Sequence, residues 1–118
     1  MERAKIRRTI ACLLSAALLA ACSRSSETIP LSPLAAEGKQ IYSTTCTACH
    51  NADPRQPGAL GPPIAGSSEA LLDAKVLRNE YPPGYTPKRP THAMIALPQL
   101  QPKIPALAAY LASTAPAP

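Results

Sequence analysis

Thr45-Cys46-Thr47-Ala48-Cys49-His50-Asn51 is the stretch on which the reading turns. A chain of 118 residues with four cysteines and two histidines places two of the first and one of the second within five positions. A Cys-x-x-Cys pair beside a histidine belongs either to a redox or metal pair or to the covalent attachment site of a prosthetic group. Choosing between them requires that each of the remaining thiols be placed first.

Cys12 and Cys22 lie in the opening segment. It has a basic head, Arg3, Lys5, Arg7 and Arg8, followed by an apolar run from Thr9 to Ala21. This is the pattern of an export signal, and it falls short of the ~20 apolar residues that span a bilayer. The run ends in Leu19-Ala20-Ala21-Cys22, which closely resembles the lipobox of bacterial lipoproteins, where the leader is cut before the cysteine and the new N-terminal Cys is acylated. The resemblance implies a signal peptide at 1–21, a lipidated Cys22 followed by a flexible linker through residue 33, and one domain at 34–118. Residues 23–33 would have a root-mean-square reach of roughly 20 Å.

Without residues 1–21 the chain keeps eight of twelve Lys/Arg and six of seven Asp/Glu, so its formal charge falls from +5 to +2. The basic balance of the whole chain belongs mostly to the leader and gives no reason to expect a nucleic-acid partner. Residues 22–118 contain no Trp or Phe, four Tyr and all 15 prolines. So small a domain, with so few large side chains, buries too little surface to offset the entropy of ordering it, and such chains rely on a disulfide, a metal or a cofactor. Cys46 and Cys49 are the only thiols left besides Cys22, and with none to spare a bulky apolar cofactor would fill the gap.

Haem is such a cofactor, and Cys-x-x-Cys-His is its covalent attachment signature. The two thiols add across the two vinyl groups of the porphyrin, and the adjacent His50 reaches the iron. A four-ligand zinc site would need two further Cys or His ligands, and beyond His50 this part of the chain has only His92. A thioredoxin-like pair would need a strand before it and a βαβ surround, and no β-rich alternating run is present. A Cys46–Cys49 disulfide loop without haem is the third alternative.

The flanking sequence resembles the class I cytochrome c family. Ala36 to His50 is similar to its first helix and haem motif, with Gly38 and Tyr42 at four-residue steps before Cys46; Ile104 to Leu111 is similar to its last helix. The resemblance implies a small all-α fold of three to four helices around one covalent haem c, in which Gly38, Tyr42, Leu107 and Tyr110 make the crossing of the N- and C-terminal helices. Gly58 to Gly66 resembles the family's Gly-Pro-x-Leu-x-Gly loop, with Ile64 in place of Leu, and this implies that the Pro62 carbonyl accepts the Nδ1 hydrogen of His50. Ser67 to Asn79 reads as a middle helix, with a serine cap, an early acid, a late base, and Leu71, Leu72, Lys75 and Val76 at helical spacing; Pro82 and Pro83 bar its continuation.

Tyr85 to Met94 is a proline-laden loop holding Met94, the one Met after residue 1. The resemblance places the distal iron ligand there and makes Met94 the sixth ligand, with His92 the competing candidate. In two respects the chain departs from the family pattern: Ile95, not Pro, follows Met94, and Gln101-Pro102-Lys103-Ile104-Pro105 opens the last helix where a Ser/Thr cap and acids are usual.

The resemblance implies a non-enzymatic, lipid-anchored carrier facing the periplasm, which passes single electrons between redox protein partners. Alternatives are the haem-bearing subunit of a dehydrogenase or oxidase complex, and a peroxidase-like or gas-binding protein with an open sixth position.

Overall fold

The computed structural model describes residues 29–117. The expected signal peptide at 1–21 and the expected lipid attachment at Cys22 lie outside the described residues. Among the described residues the structure is helical without strands. Helix α1 spans Pro33–Ile41 and runs on as a single π-helical turn, Tyr42–Cys46. Helix α2 spans Glu69–Leu72 and continues as a π turn over Asp73–Leu77. A 3₁₀ segment, Pro98–Lys103, leads into α3, Ile104–Ser113.

Helix α1 begins earlier than the sequence reading placed the domain, because Pro33, assigned to the linker, is its first residue. Ser32 and Pro33 supply a start signal: the Ser32 Oγ accepts the Ala35 N–H at 3.1 Å, and proline suits a first-turn position whose N–H has no intrahelical partner. The widening after Ile41 has a local cause. The hydroxyls of Ser43, Thr44 and Thr47 donate to the carbonyls of Lys39, Gln40 and Ser43 at 2.8, 3.0 and 2.9 Å, competing with the backbone ladder for the same acceptors. Regular four-residue steps from Gly38 to Cys46 therefore give way to a looser turn just before the cysteine pair.

The middle helix starts at Ser68, whose Oγ accepts the Leu71 N–H at 3.2 Å. Asn79 ends it in the left-handed region, at φ 56°, a conformation that Asn tolerates better than most residues. The unusual opening of the last helix resolves into the 3₁₀ segment: Pro98 and Pro102 lie in it, and Pro105 lies in the first turn of α3, where no N–H is missed.

Helices α1 and α3 cross at Gly38. A Cβ there would overlap the carbonyl of Ala106 and press on Tyr110, so only a residue without one lets the backbones meet at this distance. One turn further on, the rings of Tyr42 and Tyr110 pack at 5.4 Å between centroids, tilted by 53°, a favoured aromatic geometry. Tyr42, Leu107 and Leu111 are the largest fully buried side chains, and with Leu72, Val76, Ile104 and Tyr110 they form the core. The crossing expected of Gly38, Tyr42, Leu107 and Tyr110 is present with each residue in its expected place. The exposed Lys103–Glu37 pair, at 2.6 Å, joins the end of the 3₁₀ segment to α1 and contributes little, as solvated pairs do.

Replacing Gly38 by Val should cost about 3 kcal/mol, since the clash is with backbone that has no room to move. Chemical denaturation followed by helix signal checks this, and an unchanged midpoint would contradict the crossing.

Candidate haem site

The site begins where the widened turn of α1 ends. The Cys46 carbonyl accepts the N–H groups of Cys49 and His50 at 3.2 and 2.9 Å, closing the x-x spacer into a tight turn. The Cys49 carbonyl then accepts from Leu60 and Gly61 at 3.2 and 2.9 Å, which draws the 58–61 turn up to the histidine. Gly61 lies flat against the imidazole, and a Cβ on it would overlap the ring; a Cβ on Gly58 would overlap the backbone of Cys49 and His50. The buried Tyr42 hydroxyl donates to the Asn51 carbonyl, which fixes the chain just beyond His50 to α1.

The Pro62 carbonyl lies 3.1 Å from His50 Nδ1. A carbonyl only accepts, so Nδ1 carries the hydrogen and the Nε2 lone pair is left free to ligate. Burial lowers the His50 pKa, the Pro62 bond opposes this, and the Arg89 charge adds to the lowering; a neutral imidazole is the form a metal binds. Burial, with Cys49 beside it, pushes the Cys46 thiol up to about 11. Cys46 and Cys49 are both unpaired and half-buried.

Both thiols, His50 and Met94 line one cavity of about 390 Å³. Apolar side chains from α2 with its π turn and from α3 complete it, among them Leu72, Val76, Leu107 and Leu111. The donor set, two thiols, an imidazole with its far nitrogen already held, and a thioether, fits a covalently attached haem, and the glycine against the imidazole leaves that ring in a fixed plane. Cys46, Cys49 and His50 would hold the haem, which when bound supplies an iron that takes up and releases one electron.

Met94 and His92, the two residues that could also ligate a haem iron, stand differently toward the cavity. Met94 is half-buried, packs against the core and lines the cavity. His92 is exposed and does not line it. Three cations that the sequence did not point to as site residues also line the cavity, Lys75, Lys88 and Arg89, and no carboxylate does among the described residues. Lys75 sits 4.2 Å from the Tyr81 ring centroid, and Tyr81 stacks on Tyr85 at 5.3 Å. Gly61 was legible as part of a loop but not as the surface beneath the imidazole; its spacing from Gly58, two glycines bracketing one turn shortly after His50, is the signal for it.

A small all-α domain with paired thiols and an oriented histidine on one apolar cavity is the architecture of a mono-haem c-type protein. The family described as Cytochrome c matches residues 35–115. This chain belongs to the cytochrome c family, and is thus a haem-binding electron-transfer protein carrying covalent haem c. No curated protein and no solved structure matches the chain.

Cys46→Ala or Cys49→Ala should leave at most one thioether link and markedly less folded holoprotein, because the haem fills much of the core. Pyridine haemochrome spectra and far-UV circular dichroism check this; full helix content in a haem-free double variant would contradict it.

Proposed function

We propose that the protein is a lipid-anchored, single-haem cytochrome c that carries electrons one at a time between redox protein partners in a bacterial cell envelope, facing the periplasm. The observation that carries the reading is Met94 on the same apolar cavity as a histidine whose Nδ1 is already held by Pro62. Were His50 and Met94 both to ligate the iron, no position would be left for a substrate, which would suit reversible electron transfer. The chain acts on this reading as a carrier and not as an enzyme. The exposure of His92 favours Met94 over a bis-histidine arrangement.

The anchor is proposed from the basic head, the apolar run and Leu19-Ala20-Ala21-Cys22. Acylation of Cys22 would tether the domain through residues 23–32, the segment before α1. A formal charge of +2 after removal of residues 1–21 is too small to hold a protein on a membrane by itself, whereas two or more acyl chains hold it firmly.

Ferric protein with a thioether on the iron has a weak absorption band at the red edge of the visible. Met94→Ala should abolish the band and lower the reduction potential by on the order of 0.1 V, while His92→Ala should leave both unchanged. A high-spin His92→Ala variant would reverse the ligand assignment. For the anchor, Cys22→Ser should release the protein from salt-washed membranes; retention of the variant at high salt would point to docking on a partner instead.

A further inference from the structure

Residues 86–96 carry Met94 but are tied to the rest of the chain by few hydrogen bonds. They contain no regular structure, and among the described residues they make two hydrogen bonds to the rest of the chain. Both come from adjacent cations: Lys88 Nζ donates to the Pro63 carbonyl at 2.8 Å, and Arg89 donates through a terminal guanidinium nitrogen to the Leu60 carbonyl at 2.9 Å. Leu60 and Pro63 flank the Gly61-Pro62 pair, whose glycine lies against the His50 ring and whose proline carbonyl holds its Nδ1. The next fixed point along the loop is Leu97, whose N–H donates to the Val76 carbonyl at 2.6 Å.

The other cations among the described residues are disposed differently. Arg55, Arg78 and Lys103 are paired with carboxylates, Lys75 with Asn79 and the Tyr81 ring, and Lys39 is exposed on α1. Lys88 and Arg89, both of which line the cavity, are instead the ones bonded to backbone carbonyls distant in sequence, across 25 and 29 residues. A charged donor to a carbonyl makes a stronger bond than a neutral one, and here two of them act side by side at one end of a loop whose other end is tied at Leu97.

We propose that Lys88 and Arg89 are positioning residues: they clasp the loop bearing Met94 to the turn beneath His50 and so keep the thioether on the iron. The inference rests on the reading of Met94 as an axial ligand. Adjacent bonds to Leu60 and Pro63 couple the loop that carries one axial side chain to the turn that orients the other. Releasing the clasp lets the loop swing out from its tie at Leu97, and an added ligand then gains access to the sixth position.

The test uses ferric holoprotein titrated with imidazole, followed by loss of the red-edge band. Lys88→Ala/Arg89→Ala should bind imidazole about tenfold more tightly, the size expected for losing two partly solvated hydrogen bonds, with the unfolding midpoint of the helix signal little changed. Arg89→Lys alone, which keeps a cation at the position, should stay within about threefold of the parent. An unchanged imidazole affinity in the double variant overturns the clasp, as does a gain matched by an equal loss of global stability. Should the double variant fail to accumulate with haem, Lys88→Ala and Arg89→Ala are measured singly, and no gain in either overturns the proposal. Subtilisin cleavage within residues 86–96 of the holoprotein separates the two readings. Faster cleavage of the double variant, with a red-edge band that survives Met94→Ala, would leave the loop clasp standing but overturn its role at the iron through failure of the ligand reading. Cleavage at the parent rate would overturn the clasp whatever the ligand is.

Discussion

The backbone contact of Gly38 with Ala106 governs more of this domain than its size suggests. It sets how closely α1 and α3 approach, and so where Tyr42 meets Tyr110 and how deeply Leu107 and Leu111 are buried. Tyr42 in turn passes the constraint to the site, since its hydroxyl holds the Asn51 carbonyl just past the histidine. Tyr42, Leu107 and Leu111 line the cavity beside the crossing, and the segment carrying both thiols follows directly on α1. In a domain without Phe or Trp, a shift at the crossing has few other large side chains to absorb it.

A second layer of order is built from backbone carbonyls. Cys46 and Cys49 each accept two N–H groups, and Pro62, Leu60 and Pro63 accept from His50, Arg89 and Lys88. Proline-rich loops have fewer N–H groups to offer but as many carbonyls, so side-chain donors are the natural partners. The orientation of the imidazole and the placement of the long loop both follow from that surplus of acceptors.

Much of this was legible in the residues. The haem motif, the helix-crossing residues and the proline carbonyl opposite His50 are each encoded by side-chain type at fixed spacing, and each is where the sequence put it. What was not legible depends on geometry that spacing does not carry. The π turn at Tyr42–Cys46 arises from three hydroxyls that also read as ordinary helix-surface residues. The helix start at Pro33 was hidden because Ser-Pro also reads as linker. Nothing in the spacing of Lys88 and Arg89 marks their partners, which come only from the folding of residues 58–66 against that loop. That Met94 lines the cavity and His92 does not likewise needed the loop path, since the two are two residues apart.

The prolines between the middle helix and Met94 have an effect that no contact records. Pro82, Pro83, Pro87 and Pro90 each fix one backbone angle, so this part of the chain has few conformations to lose on folding and few to visit afterwards. Stiffness of this kind comes from covalent rings and not from hydrogen bonds, and it does not change when charge enters or leaves the neighbouring cavity. A carrier exchanges electrons fastest when its atoms move least between the two oxidation states, and a loop stiffened by its own rings keeps that nuclear rearrangement small.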